Sequence, residues 1–87
     1  MGIQIYISKE ALTSRDIPII NMREETYDFD DHKYTETLCE VHGLNLQMTV
    51  FGGTICHDAN RWGSSRIALL AFIEKHGLLA GSDWYEG

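Results

Sequence analysis

Residues 34–41 and 44–51 are two β-compatible runs joined only by His42-Gly43, and a two-residue connection leaves the chain little choice but a tight antiparallel hairpin. Glycine supplies the positive φ that such a turn requires. With Val41 opposite Leu44, the pairs Cys39 with Leu46, Thr37 with Met48 and Thr35 with Val50 share one face. The other face then carries Glu40 with Asn45, Leu38 with Gln47, Glu36 with Thr49 and Tyr34 with Phe51. One face is mostly apolar and the other mostly polar. A slip of one residue would turn the apolar set outward, so turn and pattern specify the same register.

The remaining elements are arranged around this hairpin. Ile3, Ile5 and Ile7 alternate with Gln4, Tyr6 and Ser8, the period of a strand with one buried face. Ser8 can cap a short helical turn through Lys9, Glu10, Ala11 and Leu12. Ile17, Ile19 and Ile20 around Pro18 form a second extended piece, placed at an edge or a strand start because proline cannot donate to a ladder. Gly52-Gly53 is expected to end the hairpin, and a helix over 64–76 to follow, capped by Ser64 or Ser65 and stopped at Gly77-Leu78. Its apolar run, residues 67–73, covers the whole circumference, which predicts burial of Leu69, Leu70, Phe72 and Ile73 on more than one side. The tail residues Leu78, Leu79, Trp84 and Tyr85 are expected to fold back onto this helix. The expected fold is therefore a single α+β domain over 1–87. It is a two-layer sandwich with an antiparallel sheet of three or four strands and one main C-terminal helix. At 87 residues such a domain removes only roughly 60 to 65% of its unfolded surface from water, so its core is thin.

No apolar run reaches the roughly 18 residues of a membrane span, and the first residues lack the layout of a signal peptide, which predicts a cytoplasmic protein. Two cysteines, Cys39 and Cys56, are too few for a disulfide framework and read as reduced, buried thiols.

Motifs that carry chemistry are weak. Cys56-His57-Asp58 holds the residue types of a thiol catalytic site, but neighbours in sequence point different ways, and Asp58 has a simpler role as the cap of a helix starting at Ala59 or Asn60. A zinc site assembled from Cys39, Cys56, His57 and one of His32, His42 or His76 matches no standard spacing. Asp28, Asp30, Asp31 and His32 lack the central glycine and closing Glu of a calcium loop. Gly52-Gly53-Thr54 has neither a P-loop lysine nor a dinucleotide fingerprint. No catalytic residue, metal or cofactor is assigned, and the chain reads as a binder and not an enzyme.

Charge is more informative. The net charge is −6, and its excess sits within residues 24–40, where seven acids (Glu24, Glu25, Asp28, Asp30, Asp31, Glu36, Glu40) accompany only Lys33. Such a field repels nucleic-acid phosphate and attracts basic surfaces. Tyr27, Phe29 and Tyr34 lie among these acids, and aromatic anchors ringed by charge are a common interface composition. The expected partner-binding residues are Glu24, Glu25, Tyr27, Asp28, Phe29, Asp30, Asp31 and Tyr34, with Trp62 as a second anchor. The expected partner is a protein with a basic surface, such as a nucleic-acid-binding nuclease, with direct nucleic-acid and membrane binding disfavoured. A second copy of the chain, held through the apolar helix, is a further candidate.

The segment Arg61-Trp62-Gly63-Ser64-Ser65-Arg66, leading into an Ala-rich helix in a small acidic chain, resembles the compact inhibitors that phages encode against bacterial defence, of which anti-CRISPR proteins are one type. The resemblance is one of kind. It implies an inhibitor occupying the basic surface of its target, and it transfers no individual residue's role. Two other classes compete with it: a small zinc or thiol enzyme using Cys56, His57 and Cys39, and an assembly subunit associating through the 64–76 helix.

Overall fold

The computed structural model describes residues 4–62 and 66–87. The described elements run β1 (Gln4–Ser8), α1 (Lys9–Thr13), β2 (Ile19–Phe29), β3 (His32–Val41), β4 (Leu44–Phe51), β5 (Thr54–Asp58), α2 (Ala59–Trp62), α3 (Arg66–Lys75) and β6 (Trp84–Glu86). All six strands join one antiparallel sheet in the order β2-β3-β4-β5-β1-β6. The expectation of three or four strands under a main helix is therefore corrected: the chain is mostly sheet, and α3 is a short helix of 10 residues.

The additional strands come from segments with little apolar alternation. β2 continues from Ile19 through the acidic stretch to Phe29, well beyond the extended piece expected around Pro18, and β5 follows Gly52-Gly53 in a segment for which no element was expected. The glycine pair is the turn of another hairpin, with Phe51 opposite Thr54 and Gly52 at φ 55°. The tail does not simply fold back on the helix; it forms β6, which pairs with β1 as the sheet's far edge.

The His42-Gly43 hairpin forms as its turn dictates, with Val41 opposite Leu44 and Gly43 at φ 84°. Beyond that pair the register shifts, so that Cys39 faces Met48 and Leu38 faces Thr49, not Leu46 and Gln47. A shift of two residues keeps every side chain on its original face. Cys39, Val41, Leu44 and Met48 accordingly all enter the core.

That core lies on one side of the sheet. Ile5, Ile7, Val41, Met48 and Ile55 cluster with Leu69, Phe72 and Ile73 of α3 and with Ala11 and Leu12 of α1. Ser8 caps α1, its Oγ accepting from the Ala11 N–H at 3.2 Å. Gly77 at φ 66° ends α3, with the Leu78 N–H bonded to the Ile73 carbonyl and the Gly77 N–H to that of Glu74, while the Leu78 side chain is buried. The helix does not bury its whole circumference: Leu70 is exposed and Ile67 is 77% exposed. The expected caps Ser64 and Ser65, and Ile3 of the first strand, lie outside the described residues.

Candidate functional site

β2 and β3 project beyond the core as a two-stranded ribbon. Residues 24–35 are all exposed, on both faces, and the molecule's long axis measures 43 Å against 27 and 21 Å for the others. At about 3.3 Å per residue the 11 residues of β2 alone extend roughly 36 Å. The ribbon tip is Asp30-Asp31, flanked by the pair Phe29 and His32, with both aspartates left-handed at φ 53° and 64°. Positive φ at both central residues gives the primed turn that suits the right-handed twist of a hairpin, and aspartate tolerates it better than most residues.

Pairing divides the ribbon into two unlike faces. One carries the rungs Arg23/Leu38, Glu25/Glu36, Tyr27/Tyr34 and Phe29/His32; the other carries Glu24/Thr37, Thr26/Thr35 and Asp28/Lys33. On the first face the Tyr27 and Tyr34 rings stack at 5.5 Å between centroids with planes 24° apart. Phe29 tilts against Tyr34 at 6.5 Å, and His32 meets it edge-on at 6.4 Å. Phe29 remains 66% exposed, Tyr27 44% and Tyr34 41%. On the second face the Thr26 and Thr35 hydroxyls lie 3.3 Å apart.

A β-bulge fixes the ribbon's root. Between Ile20 and Arg23 the strand gains one residue over β3, and Asn21 takes φ 55° there. The Asn21 amide donates to Glu40 Oε1 at 2.9 Å. Arg23 donates to the Asn21 carbonyl at 2.9 Å, to Glu40 Oε2 at 3.3 Å and to the Gln47 side chain, so one guanidinium ties together β2, β3 and β4. Glu25 and Glu36 sit directly opposite each other, a pairing that would repel. Arg23 Nε stands 3.8 Å from Glu25, and Arg61 of α2 forms a two-pronged pair with Glu36, its Nη1 donating at 2.8 Å to Oε2. These bonds from Arg61 hold the Glu36 carboxyl below its ordinary range despite partial burial.

The ribbon thus brings together eight of the expected partner-binding residues. Glu25, Tyr27, Phe29 and Tyr34 share the aromatic face, Glu24 and Asp28 lie on the opposite face, and Asp30 and Asp31 form the tip. Among the described residues, Glu24, Asp28, Asp30 and Asp31 form no ion pair. Trp62 ends α2, and its side chain lies outside the described residues. A second aromatic group went unnoticed in the sequence: Tyr6 stacks on Tyr85 at 4.9 Å and lies 6.2 Å from Phe51. By register these rings share the sheet face of Tyr27 and Tyr34, opposite α3. The signal was available, since Tyr6 alternates with Ile5 and Ile7 and must point away from the core.

The thiol candidates do not converge. Cys56 and Asp58 point to the outer face of β5, while His57 points into the helix side, where its Nδ1 lies 3.0 Å from the Gln47 carbonyl oxygen. Asp58 caps α2 instead, accepting from the Arg61 N–H at 3.2 Å. Burial pushes both the Cys39 and Cys56 thiols up, the opposite of what a nucleophile needs. The two cysteines are free, buried and on opposite sheet faces. Among the described residues no three His, Cys, Asp or Glu side chains gather as metal ligands, and no helix is long and apolar enough to cross a membrane. No protein-family model matches the chain, and neither does any curated protein or solved structure.

Proposed function

We propose that this chain is a protein-binding module that docks through its β2–β3 ribbon onto a basic surface of another protein, and that it acts as an inhibitor by covering that surface. The observation that carries this is the ribbon itself: twelve consecutive residues, 24–35, are exposed on both faces and build none of the core. A strand pair extended this far from a small core does little for the fold, since two strands alone are marginally stable in water. Five acids and one lysine populate those residues, so the field at the tip is negative. That field would speed encounter with a cationic partner, and the exposed rings would hold the complex once formed. Covering a cationic, nucleic-acid-binding surface is the mode of the small acidic phage-encoded inhibitors that the sequence resembles in kind.

The experiment is surface plasmon resonance against a partner recovered by affinity capture, at two ionic strengths. Changing Asp28, Asp30 and Asp31 together to Asn should slow association and flatten its salt dependence, whereas Phe29→Ala should mainly raise the dissociation rate. Unchanged kinetics in both variants would remove the ribbon from the binding site.

A further inference from the structure

We infer that the Tyr27/Tyr34/Phe29 face of the ribbon is built to receive arginine side chains of the partner, and not basic residues in general, an assignment that rests on the ribbon being the docking element. The pattern of rungs along this face supplies the reason. At the root, the chain's own arginines already sit against it: Arg23 bonds Glu40 and stands beside Glu25, and Arg61 grips Glu36 with two parallel N–H bonds. The carboxylates of the inner rungs are therefore already paired with guanidinium groups of the chain itself.

The next two rungs, Tyr27/Tyr34 and Phe29/His32, continue outward with rings that stay partly exposed. A planar guanidinium can stack on such rings while its N–H groups remain free to bond carboxylates at the ring edges; an ammonium is compact, strongly hydrated and gains less from stacking. Carboxylates without ion pairs stand just beyond these rungs, Asp30 and Asp31 at the tip. Charge also argues against a second copy as the occupant. Two such ribbons face to face, or paired along the open edge of β2, would bring together acids that already outnumber bases five to one over residues 24–35.

The test uses the intact protein, labelled for ring-proton NMR, titrated with two blocked hexapeptides of equal charge, one alternating Arg and Gly and the other Lys and Gly. The arginine peptide should bind roughly five-fold more tightly, the ratio for about 1 kcal/mol of stacking, and should shift the Tyr27, Tyr34 and Phe29 ring signals. The double change Tyr27→Leu with Tyr34→Leu keeps apolar bulk on the strands and should make the two peptides bind equally. Equal affinities for the unmodified protein would overturn the arginine preference while leaving a basic partner in place. Failure of both peptides to bind, or shifts confined to Tyr6 and Tyr85, would overturn the assignment of this face. Loss of the ribbon as docking element is read separately, from the kinetics of the acid-to-Asn variant against the captured partner.

Discussion

Replacing Tyr27 by Ala should loosen the ribbon without unfolding the molecule, because Tyr27 touches the ribbon and not the core. Its ring stacks on Tyr34 directly across the ladder at 5.5 Å, and both rings stay exposed by about two-fifths, so only part of their area is removed from water. A stacked aromatic pair contributes about 0.5 to 1.5 kcal/mol beyond area burial. Losing that much raises the population of the locally open ribbon by roughly two- to twelve-fold, with amide protection falling by the same factor. Hydrogen exchange followed by NMR separates the two regions. Amides of residues 24–35 should lose protection by that factor, while those of Met48 and Ile55, buried at the centre of the sheet, should change little. Equal loss in both regions would mean that the ribbon and the core unfold as one unit, contrary to their lack of shared packing. A practical consequence is that Ala at position 27 weakens binding partly by fraying, so Leu is the better probe of ring chemistry.

Phe72→Ala removes a buried ring at the junction of α3 and the sheet and should cost about 3 to 5 kcal/mol in urea denaturation; a loss under about 1 kcal/mol would place α3 outside the core. Gly43→Val forces a β-branched side chain to φ 84° with no atom in its way, so about 1 to 2 kcal/mol of pure backbone strain is expected in the same assay. Glu36 has its folded-state carboxyl lowered by Arg61, so the pair stabilises the fold above the unfolded-state value near 4.3 and ceases to as pH falls through the folded value. Glu36→Gln should therefore lower stability at pH 7, by less than about 1 kcal/mol because the Arg61 side chain stays 43% exposed, and the difference from the unmodified protein should shrink as pH falls through the folded value.

What the sequence revealed and what it hid divide along a physical line. Where a segment borders the core, its pattern was legible: Ile5 and Ile7 of β1, the Val41–Leu44 turn, the Ser8 cap and the Gly77 stop all follow from alternation or from local backbone chemistry. The outer part of β2 was illegible as a strand because the ribbon has no buried side there, so Arg23, Glu24 and Glu25 follow one another without apolar alternation. β5 was hidden for another reason: Ile55, Cys56 and His57 are all buried, so the run reads as no period at all. The two-residue shift in the β3–β4 register leaves no trace in polarity, since it preserves the faces. Charge and aromatic content alone point to the partner-binding residues. Only the paired strands could divide them between two faces and bring Arg61 beside Glu36.

The most direct measurement of the central claim is the affinity of a chain with its ribbon shortened. Glu25 and Glu36 are directly opposite, so residues 26–35 can be replaced by Asn-Gly, which closes a two-residue hairpin turn at that rung without removing a buried side chain. This variant should retain the circular dichroism and the cooperative melting of the unmodified protein. Against a partner recovered with the unmodified chain, its affinity should fall by about a hundred-fold or more, the loss expected when two or three aromatic anchors leave an interface. A folded, ribbon-shortened chain that binds with undiminished affinity would contradict the account and move the binding surface elsewhere on the sheet.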